Sequence, residues 1–371
     1  MPIAVELLSQ EHVPAVREFN KRIAAEGLPF RFPECSIPQW LPRQDGIPLY
    51  QEYFVALEGQ TVRGTFIMKP QAFVCNGEET MIAAYQLPIS EGAINSRYVG
   101  VALTILKDAL KRQPLLFMLG IGGYQETIAR ILKTMKWSMV ACPFFFKVTH
   151  PVRFFQEIVF LRRKLCTRLI ADLLTYSGLG WIALNAVQTA KAFPYRVAAG
   201  VSAHLVGSFS RWADEVWERA KNQYAMVAVR NTTILNRLYP SSNQRFIRIR
   251  VLRCDRTIGW AVVLNTKMRG HGYFGHMQVG SLIDCLAVEG EEYHVAAMAT
   301  QLLERSGVDL IISNQLDRQW CSALSRNGYL AGPSNFLFAA SPELARKLSP
   351  FEVNATKVHL TRGDGDGPIN L

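Results

Sequence analysis

Apolar residues in the first 150 positions recur alternately every second residue and every third or fourth, the pattern of strands and helices following one another. IAVELL reads as a short strand. Ser9 then offers a cap to a helix reaching Ala25, with Val13, Val16, Phe19 and Ile23 on one face and Gly27 as its stop. A connector containing Pro29, Pro33, Pro38, Pro42 and Pro48 follows. YFVALEGQTVRGTFIMKPQAF predicts a hairpin turning at Glu58-Gly59-Gln60, and TMIAAYQLP predicts the next strand. SRYVGVALTILKDALKR is a helix striped by Val101, Leu103, Ile105, Leu106 and Leu110. PLLFMLG, YQETIARILKTMK and WSMVACPFFFKVTH complete the run as strand, helix and closing strand.

The order recurs in the second half. Residues 224–229 read as a weak opening strand, RNTTILNRLY as a helix, and RFIRIRVLRCDRTIGWAVVLNTK as a hairpin turning at Asp255-Arg256. MQVGSLIDCLAV, YHVAAMATQLLERSG, VDLIISN, RQWCSALSRNG and YLAGPSNFLFAAS continue as strand, helix, strand, helix and closing strand. An α/β (α+β) chain of two mixed-sheet units in tandem is the simplest reading. The expected limits are 1–150 and 211–348 for the two units and 151–210 for a helical linker. In the tail, 349–371, the end TRGDGDGPINL reads as partly disordered.

The linker is apolar and basic. Arg153, Arg162, Arg163, Lys164, Arg168, Lys191 and Arg196 face only Glu157 and Asp172. A transmembrane helix needs ~20 nearly uncharged residues, and Asp172, Gly178 and Gly180 spoil that count. Two readings stay open: helices packed across the two units, or a surface helix in peripheral contact with anionic membrane through residues 153–196. A hydrophobic content of 49% excludes disorder for most of the chain, and a net charge of +11 calls for an anionic partner. The seven cysteines are scattered without a C-x-x-C pair, which argues against a disulfide framework and a zinc site. With an N-terminus that lacks a basic-then-apolar layout, the expectation is a cytoplasmic protein, at most peripheral to the inner face of the membrane.

One segment carries the chemistry. In YQLPISEGAINSRYVGVALTILKDAL a strand ends at Leu87-Pro88, and a helix opens at Arg97, Tyr98, Val99, Gly100, Val101 and Ala102. Unpaired N–H groups and the positive end of the helix dipole make such a start an anion site, provided small residues such as Gly100 and Ala102 keep it open. Arg97 adds a charged contact. This R-x-x-G-x-A string at a strand–loop–helix junction, followed by PLLFMLG, a helix and Trp137, resembles the GCN5-related N-acetyltransferase superfamily over residues 51–148. Residues 211–340, opening with RWADEVWERAKNQYAMVAVRNTTILNRLY, resemble the second domain of tandem members.

The resemblance implies direct transfer from acetyl-CoA or a longer acyl-CoA to an amine, with no metal. Arg97, Tyr98, Val99, Gly100, Val101 and Ala102 would hold the pyrophosphate, and the strand end at Leu87 would lie beside the thioester. The acceptor it implies is a small-molecule or sugar-linked amine, such as an amino sugar or a cell-surface polysaccharide precursor. Nucleic acid is not an expected partner. Two alternatives remain, a catalytically silent acyl-CoA- or partner-binding protein and aminoacyl transfer from charged tRNA.

The chain departs from the family where catalysis is read. The positions of the usual Asn and Tyr hold Gln125 and Leu132, leaving Tyr124 as the nearest hydroxyl. Glu91 and Asp284, each at or just beyond the end of the corresponding strand, are the candidate bases. The second unit's loop, Val288-Glu289-Gly290-Glu291-Glu292, lacks R-x-x-G-x-A and its acids would repel a pyrophosphate, so one cofactor site is expected, in the first unit. His271 and His276 read as a hairpin turn, and Arg248 and Arg250 as a solvated sheet face or, alternatively, as a receiver for an anionic acceptor such as a sugar nucleotide.

Overall fold

A computed structural model describes residues 3–159, 179–334 and 336–365. The first half runs β1 (Ala4–Leu7), α1 (Val13–Ala25), β2 (Glu52–Glu58), β3 (Thr61–Cys75), β4 (Glu78–Ser90), α2 (Gly100–Arg112), β5 (Leu116–Leu119), α3 (Thr127–Thr134), β6 (Ser138–Ala141) and β7 (Phe144–Val148). After α4 (Pro151–Glu157) and α5 (Leu179–Ala192) come β8 (Val201–Val206), α6 (Arg211–Ala220), β9 (Met226–Ala228) and α7 (Thr232–Leu238). The second half continues with β10 (Ile247–Arg253), β11 (Arg256–Lys267), β12 (Gln278–Ala287), α8 (Glu292–Arg305), β13 (Leu310–Asn314), α9 (Arg318–Arg326), β14 (Leu330–Gly332) and β15 (Leu337–Ala340). Two short helices and β16 (Val358–His359) close the described chain.

Turn chemistry sets the long hairpins. β3 and β4 pair up to Cys75 and Glu78 around Asn76-Gly77, both at positive φ (50° and 84°), as a tight twisted turn requires. Cys254 and Asp255, at φ 45° and 65°, do the same for β10 and β11. Each hairpin then receives its helix at a glycine. A Cβ on Gly64 would lie 2.6 Å from Val101 of α2, and one on Gly259 would lie 2.5 Å from Val295 of α8.

The two sheets follow one plan and exchange a strand. One is ordered β1-β2-β3-β4-β5-β15-β6 and the other β8-β10-β11-β12-β13-β7-β14. The last strand of each half is inserted into the sheet of the other: β7 pairs with β13 and β14, and β15 with β5 and β6. The single closing strands expected at 137–150 and 329–341 are therefore two strands each, parted by Pro143 and Pro333, which cannot continue a ladder. The expected limits 1–150 and 211–348 are crossed by this exchange.

Other expectations shift as well. The second half opens with β8, inside the stretch read as linker, rather than with residues 224–229. The strand in that region, β9, joins the first sheet between β3 and β16. Of the linker, residues 160–178 lie outside the described residues, including Arg162, Arg163, Lys164, Arg168 and Asp172. Among the described residues no helix is long and apolar enough to cross a membrane. Ile182, Val187 and Phe193 are exposed on and just after α5. The tail is the largest departure: Val358–Gly365 runs into the interior between the sheets, with Thr361, Gly363, Asp364 and Gly365 buried. Residues 366–371 lie outside the described residues.

Candidate active site

The first sheet opens where the sequence placed the acyl group. β4 and β5 run parallel only at Ala83↔Leu116 and Ala84↔Phe117. Beyond that point the edge of β5 that faces β4 is unpaired at Met118 and Leu119, while its other edge pairs with β15 from Phe117 to Leu119. β4 bends away at a bulge, because its register on β3 passes from Thr65↔Ile89 to Ile67↔Gln86 with one extra residue on β4. Leu87 at that bulge has φ 45°, and Pro88 beside it has no N–H. The result is a gap between Tyr85–Leu87 on one strand and Met118–Leu119 on the other.

Helix α2 begins beside this gap with its first turn free. Its N-cap, Val99, makes no capping bond, and no acid lies in the turn. A Cβ on Gly100 would meet nothing within 4 Å. Arg97, Val99 and Gly100 are exposed, and Ala102 and Leu87 are half-buried. Tyr98 and Val101 face the protein instead. Tyr98 donates to Glu58 Oε2 at 3.0 Å beneath Arg63, and Val101 packs against Gly64. Four of the six R-x-x-G-x-A positions thus reach the open helix start with side chain or Cα, and Tyr98 and Val101 contribute backbone alone.

The second half carries the same device in a closed form. β12 pairs with β13 only from Val279 to Ser281, and a bulge at Ile283 follows. At the helix start, Glu292 is a buried acid in the first turn of α8, and burial pushes its pKa up to about 7. Arg253 and His294 close over Glu291, at 2.7 and 3.1 Å. His359 of β16 fills the gap: its Nε2 donates to the Cys285 carbonyl at 2.7 Å, with Tyr224 and Trp320 stacked on its ring at 4.8 and 5.7 Å. The protein's own groups occupy the places an anion and an acyl chain would take.

The candidate bases lie apart. Glu91 is buried and clasped by Arg22 (3.2 Å) and Arg63 (3.0 Å). Asp284 is fully buried in a different network, taking Arg230 Nε at 2.9 Å, the Tyr239 hydroxyl at 2.6 Å and the Cys285 N–H at 2.9 Å. The two carboxylates share no partner. Tyr124 is half-exposed in the glycine-rich loop after β5, and its hydroxyl bonds to no described residue. Leu132 is fully buried in the core. Arg248 corrects the solvated-face reading, being buried with Nε on the Tyr239 carbonyl at 3.0 Å. His271 and Gly275 pair across the expected turn. A cavity of about 500 Å³ lined by Ile47, Glu79, Asp214 and Glu218 contains none of these residues.

Sequence reasoning missed the seam between the halves. Arg230 bridges Asp284 and Asp364, the latter at 2.6 Å, and all three are buried. Burial pushes Asp284 up, with Arg230 offsetting part of it. For Asp364 burial acts the same way, but Arg230 and Lys69 outweigh it and hold the carboxyl below its usual range. Lys69 donates to the carbonyls of Gly363 (2.8 Å) and Gly365 (3.2 Å), and Gln86, next to the bulge, donates to Gly365 as well. The C-terminal segment is thereby strapped across the first gap, with Gly365 against Leu119. Lys69 was visible as the one charge in the apolar run GTFIMKPQAF.

No family model matches the chain. No curated protein matches it either. Among solved structures, N-myristoyltransferase of Saccharomyces cerevisiae with bound myristoyl-CoA aligns over 92% of this chain and 79% of its own, with TM-score 0.52 and 10% identity. A GCN5-related N-acetyltransferase from Anabaena variabilis aligns over 91% and 72%, with TM-score 0.51 and 9% identity. Together with the duplicated sheet order, these likenesses give the chain the fold of the GCN5-related N-acetyltransferases, present twice, with one strand exchanged between the copies.

Proposed function

We propose that the protein is an acyl-CoA-dependent N-acyltransferase with one acyl-CoA site, in its first half. The observation that carries this is the asymmetry of the two helix starts: an open, acid-free first turn in one copy, and in the other a first turn that carries the buried acid Glu292 behind a Glu291 closed over by Arg253 and His294. Acyl-CoA supplies an activated thioester. The N–H groups of the first turn of α2 and the Arg97 guanidinium bind its pyrophosphate, and the backbone at the Leu87 bulge meets the thioester carbonyl. The acceptor, a small-molecule or sugar-linked amine, enters between the halves against the strap at Gly363–Gly365.

In this reading Asp284 and Glu91 are positioning residues. Glu91 is held by two arginines, and Asp284 by Arg230, the Tyr239 hydroxyl and the Cys285 N–H, so neither has a free face for an incoming amine. Asp284 holds Arg230 and through it the strap, whereas Glu91 ties α1 to the loop before α2. As the amine nitrogen bonds to the acyl carbon and the C–S bond breaks, water takes the proton from the amine and returns one to the departing CoA thiolate. Calorimetric titration of acetyl-CoA and longer acyl-CoAs tests the site. Arg97→Ala should weaken binding about tenfold, the value of one charge-assisted contact, and Glu291→Ala should leave it unchanged. Equal loss in both variants would place the site elsewhere.

A further inference from the structure

The strap carries one cation, Arg362, that no carboxylate of a described residue answers. Arg362 follows β16, and its backbone has no freedom to move the side chain elsewhere. Thr361 N–H is held by Asp364 Oδ2 at 2.8 Å, and the Gly363 carbonyl by Lys69 at 2.8 Å. Among the described residues the guanidinium makes one hydrogen bond, from Nη2 to the neutral Asn314 Oδ1 at 3.1 Å, and its Nε is buried without a partner. No carboxylate of a described residue lies within ion-pair distance of it. The contrast with its neighbours is sharp: Arg230 has two carboxylates, Arg22 and Arg63 share Glu91, and buried Arg248 has several carbonyls. Burial pushes the Arg362 pKa down to about 10, so the group stays charged at neutral pH. A half-buried guanidinium whose Nε is buried with no partner among the described residues is costly to keep unless something pairs with it.

Its surroundings say where that partner enters. The guanidinium lies over the Phe336 ring, 6.0 Å from its centroid, and the same ring lies 3.4 Å from where a Cβ of Gly120 would be. Gly120 follows directly on β5, so Arg362 faces the end of the strand gap. Three residues further along the strap, Gly365 is held by Gln86 beside the Leu87 bulge. Three extended residues span at most about 10 Å between Cα atoms, so the backbone of Arg362 lies close to the Gly365 segment held beside the Leu87 bulge. A planar fork with free parallel N–H groups, edged by an amide and an aromatic ring, suits a carboxylate or a phosphate.

We propose that Arg362, with Asn314, is a specificity-determining anion site, and that the acceptor is an amine that also bears a carboxylate or phosphate. The proposal rests on the acyltransferase reading for the identity of the ligand as acceptor, but the anion site itself can be tested without it.

Two measurements decide. The first is the melting temperature of the full chain, alone and with sodium acetate or potassium phosphate, against sodium chloride at equal ionic strength. Wild type should gain from acetate or phosphate beyond chloride, and the more effective anion identifies the class. Arg362→Met should melt higher than wild type without anion and lose the specific gain. Arg362→Lys, which keeps the charge but not the fork, should keep the wild-type melting temperature and lose most of the gain, so the result stands if the Met variant does not fold. The second is release of CoA thiol from acetyl-CoA with ethanolamine, β-alanine or O-phosphoethanolamine as acceptor. One anionic amine should exceed ethanolamine at least tenfold in kcat/KM, and Arg362→Met should erase the preference through KM with kcat little changed. A lower melting temperature in Arg362→Met with no anion response in wild type would make Arg362 a structural prop and overturn the proposal. So would equal use of the three amines. If wild type responds to anions yet binds no acyl-CoA, the acyltransferase reading falls and the anion site stands.

Discussion

Gly100→Glu separates the proposed cofactor site from the fold that carries it. Gly100 opens α2, and a Cβ there would meet nothing within 4 Å, so the glycine is not needed for packing. In the free protein the substitution should be neutral or stabilising. A side chain replaces a flexible glycine, and a carboxylate at a helix N-terminus gains about 0.3–1 kcal/mol from the dipole. In the complex the same carboxylate lies beside the pyrophosphate. Like unit charges ~5 Å apart repel by about 3 kcal/mol at an effective dielectric of ~20, and salt trims this somewhat. The expected loss is about 100-fold in acyl-CoA affinity. With ligand at ~100 times the wild-type Kd, wild type gains about 2.7 kcal/mol of stability and the variant only about 0.4. Thermal melting with and without acetyl-CoA, or a longer acyl-CoA, reads both effects in one experiment. An undiminished ligand shift in Gly100→Glu would refute the placement, and a variant that does not fold would refute the claim that this helix start is kept open for a ligand.

Further expectations concern the seam and the closed second site. Arg230→Met leaves Asp284 and Asp364 buried without their cation and should cost about 3–5 kcal/mol in urea unfolding, whereas a near-neutral change would mean that the seam contributes little. Glu292 has a folded pKa of about 7, above its ordinary 4.5, so the folded state holds its proton more tightly. Its contribution is therefore favourable at low pH and is lost as pH rises from about 4.5 through 7. Glu292→Gln should remove that fall from the difference between variant and wild-type stability curves, and an unchanged pH dependence would contradict the burial of this carboxylate. Glu91→Gln and Asp284→Asn should lower stability yet reduce turnover less than tenfold. A ~10²–10⁴-fold loss of turnover in a folded variant, the effect of a missing general base, would restore that residue to the mechanism.

Local signals in the sequence were strong where one element determines its own conformation. The Asn76-Gly77 turn went unrecognised, but the 3.6-residue stripes of α2 and α8 depend on residues near each other in the chain. So does the β10–β11 turn, expected at Asp255-Arg256 and found one residue earlier at Cys254-Asp255. The R-x-x-G-x-A start was legible for the same reason, since Gly100 and Ala102 act through the backbone of their own turn. What otherwise escaped reading was long-range. Nothing local in FFFKV or LFAA says which of two similar sheets will take the strand, so the exchange of β7 and β15 was not visible. The tail looked disordered because TRGDGDG is glycine-rich and polar. Its order comes from Lys69, Gln86 and Arg230, more than 130 residues away. Glu91 and Asp284 were found as acids at strand ends, but the arginines that hold them lie on other elements.

The central claim is that a duplicated fold keeps one acyl-CoA site and has closed the other with its own side chains. Native mass spectrometry of the full chain titrated with acyl-CoAs of increasing chain length counts the sites directly. The account predicts a single bound acyl-CoA per chain at saturation, retained in Glu292→Gln and lost in Gly100→Glu. Two bound molecules, none at any chain length, or one that survives in Gly100→Glu would contradict it.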